Sequence, residues 1–139
     1  MATRSNDILS VLQQVCQAYP EHAAVVEGDD AVLTYGQLWH QAQCVAEYVK
    51  SNGGASPFVG LNQKKSASYI VSMIGCWLAG KAFVPIGTDL PPARQKFIRE
   101  HADIKLCLDK DTFREALTSV CNPTENLALD LGRFACKEL

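Results

Sequence analysis

The sequence predicts an α/β fold: a doubly wound, mainly parallel sheet flanked by helices and entered through an N-terminal helix and hairpin. Three observations predict it. From residue 58 onward, short apolar runs alternate with helical patterns, the signature of crossover units around a parallel sheet. Those runs are nearly continuously apolar, as strands buried on both faces must be. Before them, a helical pattern is followed by two short strands around Gly28-Asp29-Asp30, which reads as a hairpin.

Each element can be justified in order. Ile8, Leu12, Val15 and Tyr19 recur at helical spacing, Ser5, Asn6 and Asp7 offer N-caps, and Pro20 ends the helix. Residues 23–27 and 31–34 read as the hairpin strands. Thr34 and Gln37 have capping-box spacing and open a second helix. That helix carries Leu38, Ala42, Val45, Ala46 and Val49 on one face, with Gln37, Gln41, Glu47 and Lys50 elsewhere. Asn52-Gly53-Gly54 stops it, because glycine relieves the left-handed cap. Residues 58–62 form the next strand. Ser66 can cap a helix through about Ala79, whose Ile70, Met73, Ile74, Trp77 and Leu78 are apolar over a wide arc. Residues 82–86 form another strand. Pro91-Pro92 open a helix through about Ala102, with Phe97, Ile98 and His101 expected to face inward. Residues 104–108 form a third strand of the sheet, Asp111 can cap a short helix around Phe113 and Leu117, and residues 127–131 form a fourth strand after the Asn122-Pro123 loop.

Composition narrows the function classes. The 139 residues fit one domain spanning 1–139, and 47% hydrophobic residues suffice for a core. Thirteen basic and 15 acidic residues give a net charge of −2, with no basic stripe for nucleic acid. The richest apolar stretch, Tyr69 to Leu78, is about half the ~20 residues a membrane span requires. The N-terminus lacks the apolar centre of a secretory signal, so a cytoplasmic location is expected. The six cysteines, Cys16, Cys44, Cys76, Cys107, Cys121 and Cys136, sit mostly in apolar runs without paired spacing. They are expected to be reduced and structural, and zinc is not expected.

No catalytic constellation emerges. Gly75 to Ala82 imitates the phosphate-loop pattern G-x-x-x-x-G-K-[ST], but Ala82 has no hydroxyl, and the segment follows a helix and precedes a strand. It reads instead as a helix C-terminus, with Gly80 as cap and Lys81 at the negative dipole end. Gly53 to Ser56 lacks dinucleotide-loop spacing. His22, His40 and His101 are scattered, and no G-x-S-x-G elbow is present. Arg94, Lys96, Arg99 and Glu100 read as a solvated helix face, and Asp29-Asp30 as a turn. A flavodoxin-like domain would need a cofactor loop after a strand, and none is found.

Two segments resemble the adenylate-forming superfamily, which activates carboxylic acids with ATP. Residues 33–38, Leu-Thr-Tyr-Gly-Gln-Leu, are similar to its L-T-Y-x-E-L motif. Residues 78–86, Leu-Ala-Gly-Lys-Ala-Phe-Val-Pro-Ile, are similar to its K-A-G-x-A-Y-V-P-L-D motif. Pro91 to Arg94 with Ile98, residues 8–20 and residues 105–108 resemble the surrounding context, so the likeness runs from about Ile8 to Leu131. Gln37, Gly87 and Leu78 depart from the usual Glu, Asp and Lys. The style is closest to the adenylation domains of nonribosomal peptide synthetases.

The resemblance implies a single truncated N-terminal subdomain of an adenylation domain. It stops before the Ser/Thr/Gly-rich phosphate loop, the ribose-binding aspartate and the C-terminal lysine. It implies no catalytic, cofactor-binding or metal-binding residue within 1–139, and a chain inactive by itself. For the parent it implies ATP and Mg as cofactors, an amino or aryl acid as substrate, and a carrier-protein phosphopantetheine as acceptor. The remainder of the adenylation domain would be the first partner. Neither nucleic acid nor membrane is expected, and an uncovered apolar patch or strand edge would favour homo-oligomers. An alternative of another class is a natural short, degenerate relative that acts as a protein-binding or assembly module. The reading frame beyond Leu139 separates the two.

Overall fold

The computed structural model describes residues 7–119. The expected strand at 127–131 and the loop at 122–123 lie outside the described residues.

Helix α1 (Ile8–Ala18) opens on Asp7, whose carboxylate accepts from the amide of Leu9 at 3.4 Å. It lies at the rim: Leu9 and Leu12 pack against the core, while Ile8 is 64% exposed. Strands β1 (Ala23–Glu27) and β2 (Asp30–Thr34) pair antiparallel. Glu27 stands opposite Asp30, and Gly28 takes the left-handed conformation that closes so tight a turn (φ 64°).

Helix α2 (Tyr35–Asn52) is the central pillar. It packs against α1, the hairpin and two later helices, α3 (Ala67–Leu78) and α5 (Lys110–Ser119). Being covered on several sides, it buries more than the expected face. Leu38, Ala42, Val45, Ala46 and Val49 are buried as expected, but so are Gln41, Cys44 and Tyr48. Gln41 departs from its expected outer position because periodicity reveals only the apolar face.

Strands β3 (Phe58–Leu61), β4 (Ala82–Pro85) and β5 (Cys107–Leu108) form a parallel sheet in the order β4-β3-β5. The chain steps from β3 to β4, then crosses back over β3 to reach β5. Right-handed crossovers place α3 and α4 (Pro92–His101) on opposite faces of such a sheet. Side chains agree. Val59 and Leu61 join α2, α3 and α5 in one core with Leu108. The alternate residues Gly60 and Asn62 point the other way, and the Asn62 amide donates to Gln95 on α4 at 3.4 Å. At Gly60 a Cβ would lie 2.8 Å from Cys107 Sγ and 2.9 Å from Ile86 Cδ1, so any larger residue would have to displace both side-chain ends.

The doubly wound architecture therefore stands, with four corrections of detail. Helix α4 has no buried residue: Phe97 is 52% exposed and His101 is exposed. Its inner stripe is Gln95, Ile98, Arg99 and Ala102, all half-buried. Of the three residues expected inside, only Ile98 belongs to that stripe. Phe97 instead stacks on His101 with centroids 5.4 Å apart, and the Arg94 guanidinium lies 5.5 Å from its ring. Strand β5 is shorter than residues 104–108, because Asp103 is left-handed (φ 55°) and Ile104 donates back to Arg99 as the chain leaves α4. Asp109, not Asp111, starts α5: its carboxylate accepts from Thr112 N at 2.9 Å while Thr112 Oγ1 accepts from Asp109 N at 2.6 Å. Ser66 is the N-cap residue of α3 but makes no capping bond, because its hydroxyl donates to Lys64 O at 3.2 Å. Glu27 of the hairpin supplies the acceptor for Ala67 N at 3.2 Å.

Cys16, Cys76 and Cys107 are free thiols, whereas Cys44 is disulfide-bonded. The expectation of reduced cysteines is corrected at Cys44, since spacing along the chain does not reveal which thiols meet in space.

Candidate functional site

The two motif segments organise backbone. Thr34 Oγ1 accepts from Gln37 N at 3.2 Å, and Gln37 Oε1 accepts from Thr34 N at 2.8 Å, so the capping box is complete. Beside it, Gly36 packs so closely on Pro20 that a Cβ would lie 3.2 Å from both Pro20 Cβ and Pro20 O.

The second segment ends α3 and starts β4. Gly80 is left-handed (φ 78°), its N–H donates to Trp77 O at 3.0 Å, and Lys81 N donates to Cys76 O at 2.9 Å. This pair of bonds is a Schellman cap. The Lys81 ammonium then folds onto Gly54 O at 2.8 Å and Ser56 O at 2.6 Å, tying the entrance of β4 to that of β3. The stretch that imitates a phosphate loop is thus a helix terminus, and its lysine is occupied by carbonyls.

Reactive side chains are dispersed. His22 lies beside Tyr19 and His101 on Phe97, and no group of three metal-ligating side chains occurs among the described residues. Burial pushes the Cys76 thiol up to about 12 and also raises Cys16. Burial raises Cys107 too, with Arg99 opposing and Asp109 adding to the shift. These thiols are held protonated, the reverse of what a nucleophile requires. Burial raises the Tyr48 hydroxyl as well, and Glu115 adds to the effect.

What the sheet does position is a cleft of about 640 Å³ beyond the carboxyl ends of β3 and β5. Two consecutive amides build its base. The Asn62 amide donates to Ile86 O at 3.0 Å, beyond the end of β4. The buried Gln63 amide donates to Leu108 O and to Ser72 Oγ, each at 3.0 Å, while its oxygen accepts from Ser68 at 3.0 Å. Lys64, Lys65 and Lys110 line the walls with Ser66, Ser68 and Thr88, and Glu27 closes one side. The Lys64-Lys65-Ser66 run between a strand and a helix is visible in the sequence, but Lys110 joins it only through the strand order.

The AMP-binding enzyme profile matches residues 12–138. This chain belongs to the AMP-binding enzyme family. It is 32% identical over 112 residues to tyrocidine synthase 2 of Brevibacillus parabrevis, covering 80% of this chain and 3% of that one. It is 38% identical over 90 residues to N-(5-amino-5-carboxypentanoyl)-L-cysteinyl-D-valine synthase of Penicillium rubens, covering 63% of this chain and 2% of that one. This AMP-binding chain therefore spans only 3% and 2% of the length of these two curated relatives. Its fold matches the N-terminal subdomain of Klebsiella oxytoca NpsA, with a TM-score of 0.68 at 15% identity, over 86% of this chain and 32% of that one. The fold class and the kinship read from the two motifs both stand.

Proposed function

We propose that this chain is scaffold for an ATP-dependent, carboxylate-activating ligase, forming part of its N-terminal subdomain and inactive by itself. The observation that carries this is the fate of the two family motifs. Both resolve into caps and strand starts, and Lys81, the lysine of the stretch that imitates a phosphate loop, is bonded to two carbonyls.

The parent would condense an amino or aryl acid with ATP, releasing pyrophosphate and forming an acyl-adenylate. A carrier-protein phosphopantetheine thiol would then displace AMP to give a thioester. Support comes from solved structures of similar fold. NpsA is described with 3-hydroxyanthranilyl-AMSN, and the nonribosomal peptide synthetase FmoA3 with AMPPNP and with alpha-methyl-L-serine-AMP. Mg would accompany ATP in the parent. The described residues hold no group of three His, Cys, Asp or Glu side chains that fits a metal ion. On the family resemblance, we assign the ligase reaction no catalytic, cofactor-binding or metal-binding residue in this chain and no step with Mg.

ATP–pyrophosphate exchange tests the proposal. The 139-residue chain should give none above a blank with a panel of amino and aryl acids, and adding the remainder of an adenylation domain should restore exchange. Exchange by the chain alone would overturn it.

A second reading, a short relative that acts as a protein-binding module, is favoured by the exposed Arg94–Phe97–His101 stack on α4. A stop codon after Leu139 would support it, and continuation into a Ser/Thr/Gly-rich loop would end it. No helix among the described residues is long and apolar enough to cross a membrane. We place the protein in the cytoplasm, with neither membrane nor nucleic acid as partner.

A further inference from the structure

We propose that the cleft beyond β3 and β5 binds the phosphate groups of a small polyphosphate ligand.

Strand order is the first observation. With β4 and β5 on either side of β3, the chain leaves β3 through α3 towards β4 and leaves β4 through α4 back towards β5, so the connections from the neighbouring strands β3 and β4 run in opposite directions. Crevices at such switch points, outside the carboxyl ends of the strands, are where open α/β sheets take their ligands.

Lysine pairing is the second observation. Four of the described lysines have partners close by. Lys50 lies 3.5 Å from Glu47, Lys96 3.9 Å from Glu100 and Lys105 3.1 Å from Asp103, while Lys81 holds the two carbonyls. The side chains of the other three, Lys64, Lys65 and Lys110, have neither ion pair nor hydrogen bond among the described residues, and all three line this one cleft. The only carboxylate lining it, Glu27, already accepts from the Ala67 amide. Three cations against one committed anion leave a net positive cleft.

Hydrogen-bonding capacity is the third. Ser66, Ser68 and Thr88 add hydroxyls beside the ammoniums. Lysine recognises phosphate as a mobile point charge, and hydroxyls supply directional donors. The base beneath is fixed, because both polar atoms of the Gln63 side chain are engaged with Ser68, Ser72 or Leu108. Such a cleft suits a diphosphate better than a carboxylate, since three separated cations can each meet a different oxygen. The cleft alone supports this assignment, which does not depend on the proposed ligase activity.

Calorimetric titration of the full chain at low ionic strength, with inorganic pyrophosphate and with ADP, tests it. Saturable binding of one equivalent is expected, weakening as salt is added. The double variant Lys64→Gln/Lys110→Gln should bind about tenfold more weakly or worse, with an unchanged circular dichroism spectrum, since both lysines are exposed. Lys96→Gln, on α4, should bind as the unchanged chain does. Equal affinity for the two probes supports recognition of phosphate alone, and tighter binding of ADP supports a nucleoside diphosphate. Absence of saturable binding to the unchanged chain, or equal weakening by Lys96→Gln, would overturn the proposal. Neither result touches the exchange experiment above.

Discussion

Single residues carry two separable kinds of stability in this chain. Thr34 acts through geometry, because its hydroxyl satisfies an amide that α2 cannot satisfy itself. Thr34→Ala should cost about 1 kcal/mol in chemical denaturation, and Thr34→Ser should recover most of it. Cys76 acts through protonation. Burial moves its thiol from 9.0 to about 12, so the folded state holds that proton more tightly than the unfolded state does. The resulting stabilisation is complete below the unfolded value of 9.0 and disappears as pH rises through about 12. Stability measured across this alkaline range should fall more steeply in the unchanged chain than in Cys76→Ala. In native protein at mildly alkaline pH, iodoacetamide should leave Cys76 unmodified.

At the scale of elements, the contact between α2 and α3 is set by a missing side chain. A Cβ on Gly75 would lie 2.5 Å from Val45 Cγ1 and 2.6 Å from Val45 Cβ. Gly75→Ala should therefore destabilise by about 1–3 kcal/mol through overpacking, and Val45→Ala should partly rescue it. Gly80→Ala meets nothing within 4 Å, so its cost of about 1–2 kcal/mol comes from the left-handed backbone alone and should not respond to Val45→Ala. Elements of this kind are legible in the sequence wherever the signal is local. The capping box, the Gly80 terminus and the hairpin turn fall where residue chemistry puts them. The inner stripe of α4 does not, because Gln95 faces inward to accept a hydrogen bond from the Asn62 amide that no hydropathy pattern records. The cap of α3 is hidden for the same reason: Glu27 lies 40 residues upstream. The cleft is half legible, since Lys64 and Lys65 adjoin in sequence while Lys110 arrives only when β5 pairs with β3.

For the whole molecule, uncovered surface is the leading property. Phe97 is 52% exposed on α4, Val26 is 57% exposed on the hairpin, and β4 and β5 border the described sheet. Apolar patches and open strand edges of this kind favour association. Light scattering should show concentration-dependent growth in mass, reduced by Phe97→Ser. A clean monomer at high concentration would count against it.

The Gln63 amide has a consequence in time. Its bonds reach Ser72 across 9 residues and Leu108 across 45, while the capping box spans only 3. Local caps can form early in folding, but a contact that closes a 45-residue loop must wait until the crossover through β4 and α4 has been threaded. Interactions absent from the transition state govern how fast a protein unfolds, not how fast it folds. Gln63→Ala should thus raise the unfolding rate and leave the refolding rate nearly unchanged in stopped-flow denaturant jumps. Thr34→Ala should slow refolding more. The amide at the base of the cleft would then be the latch that closes last and, once closed, sets the lifetime of the folded chain.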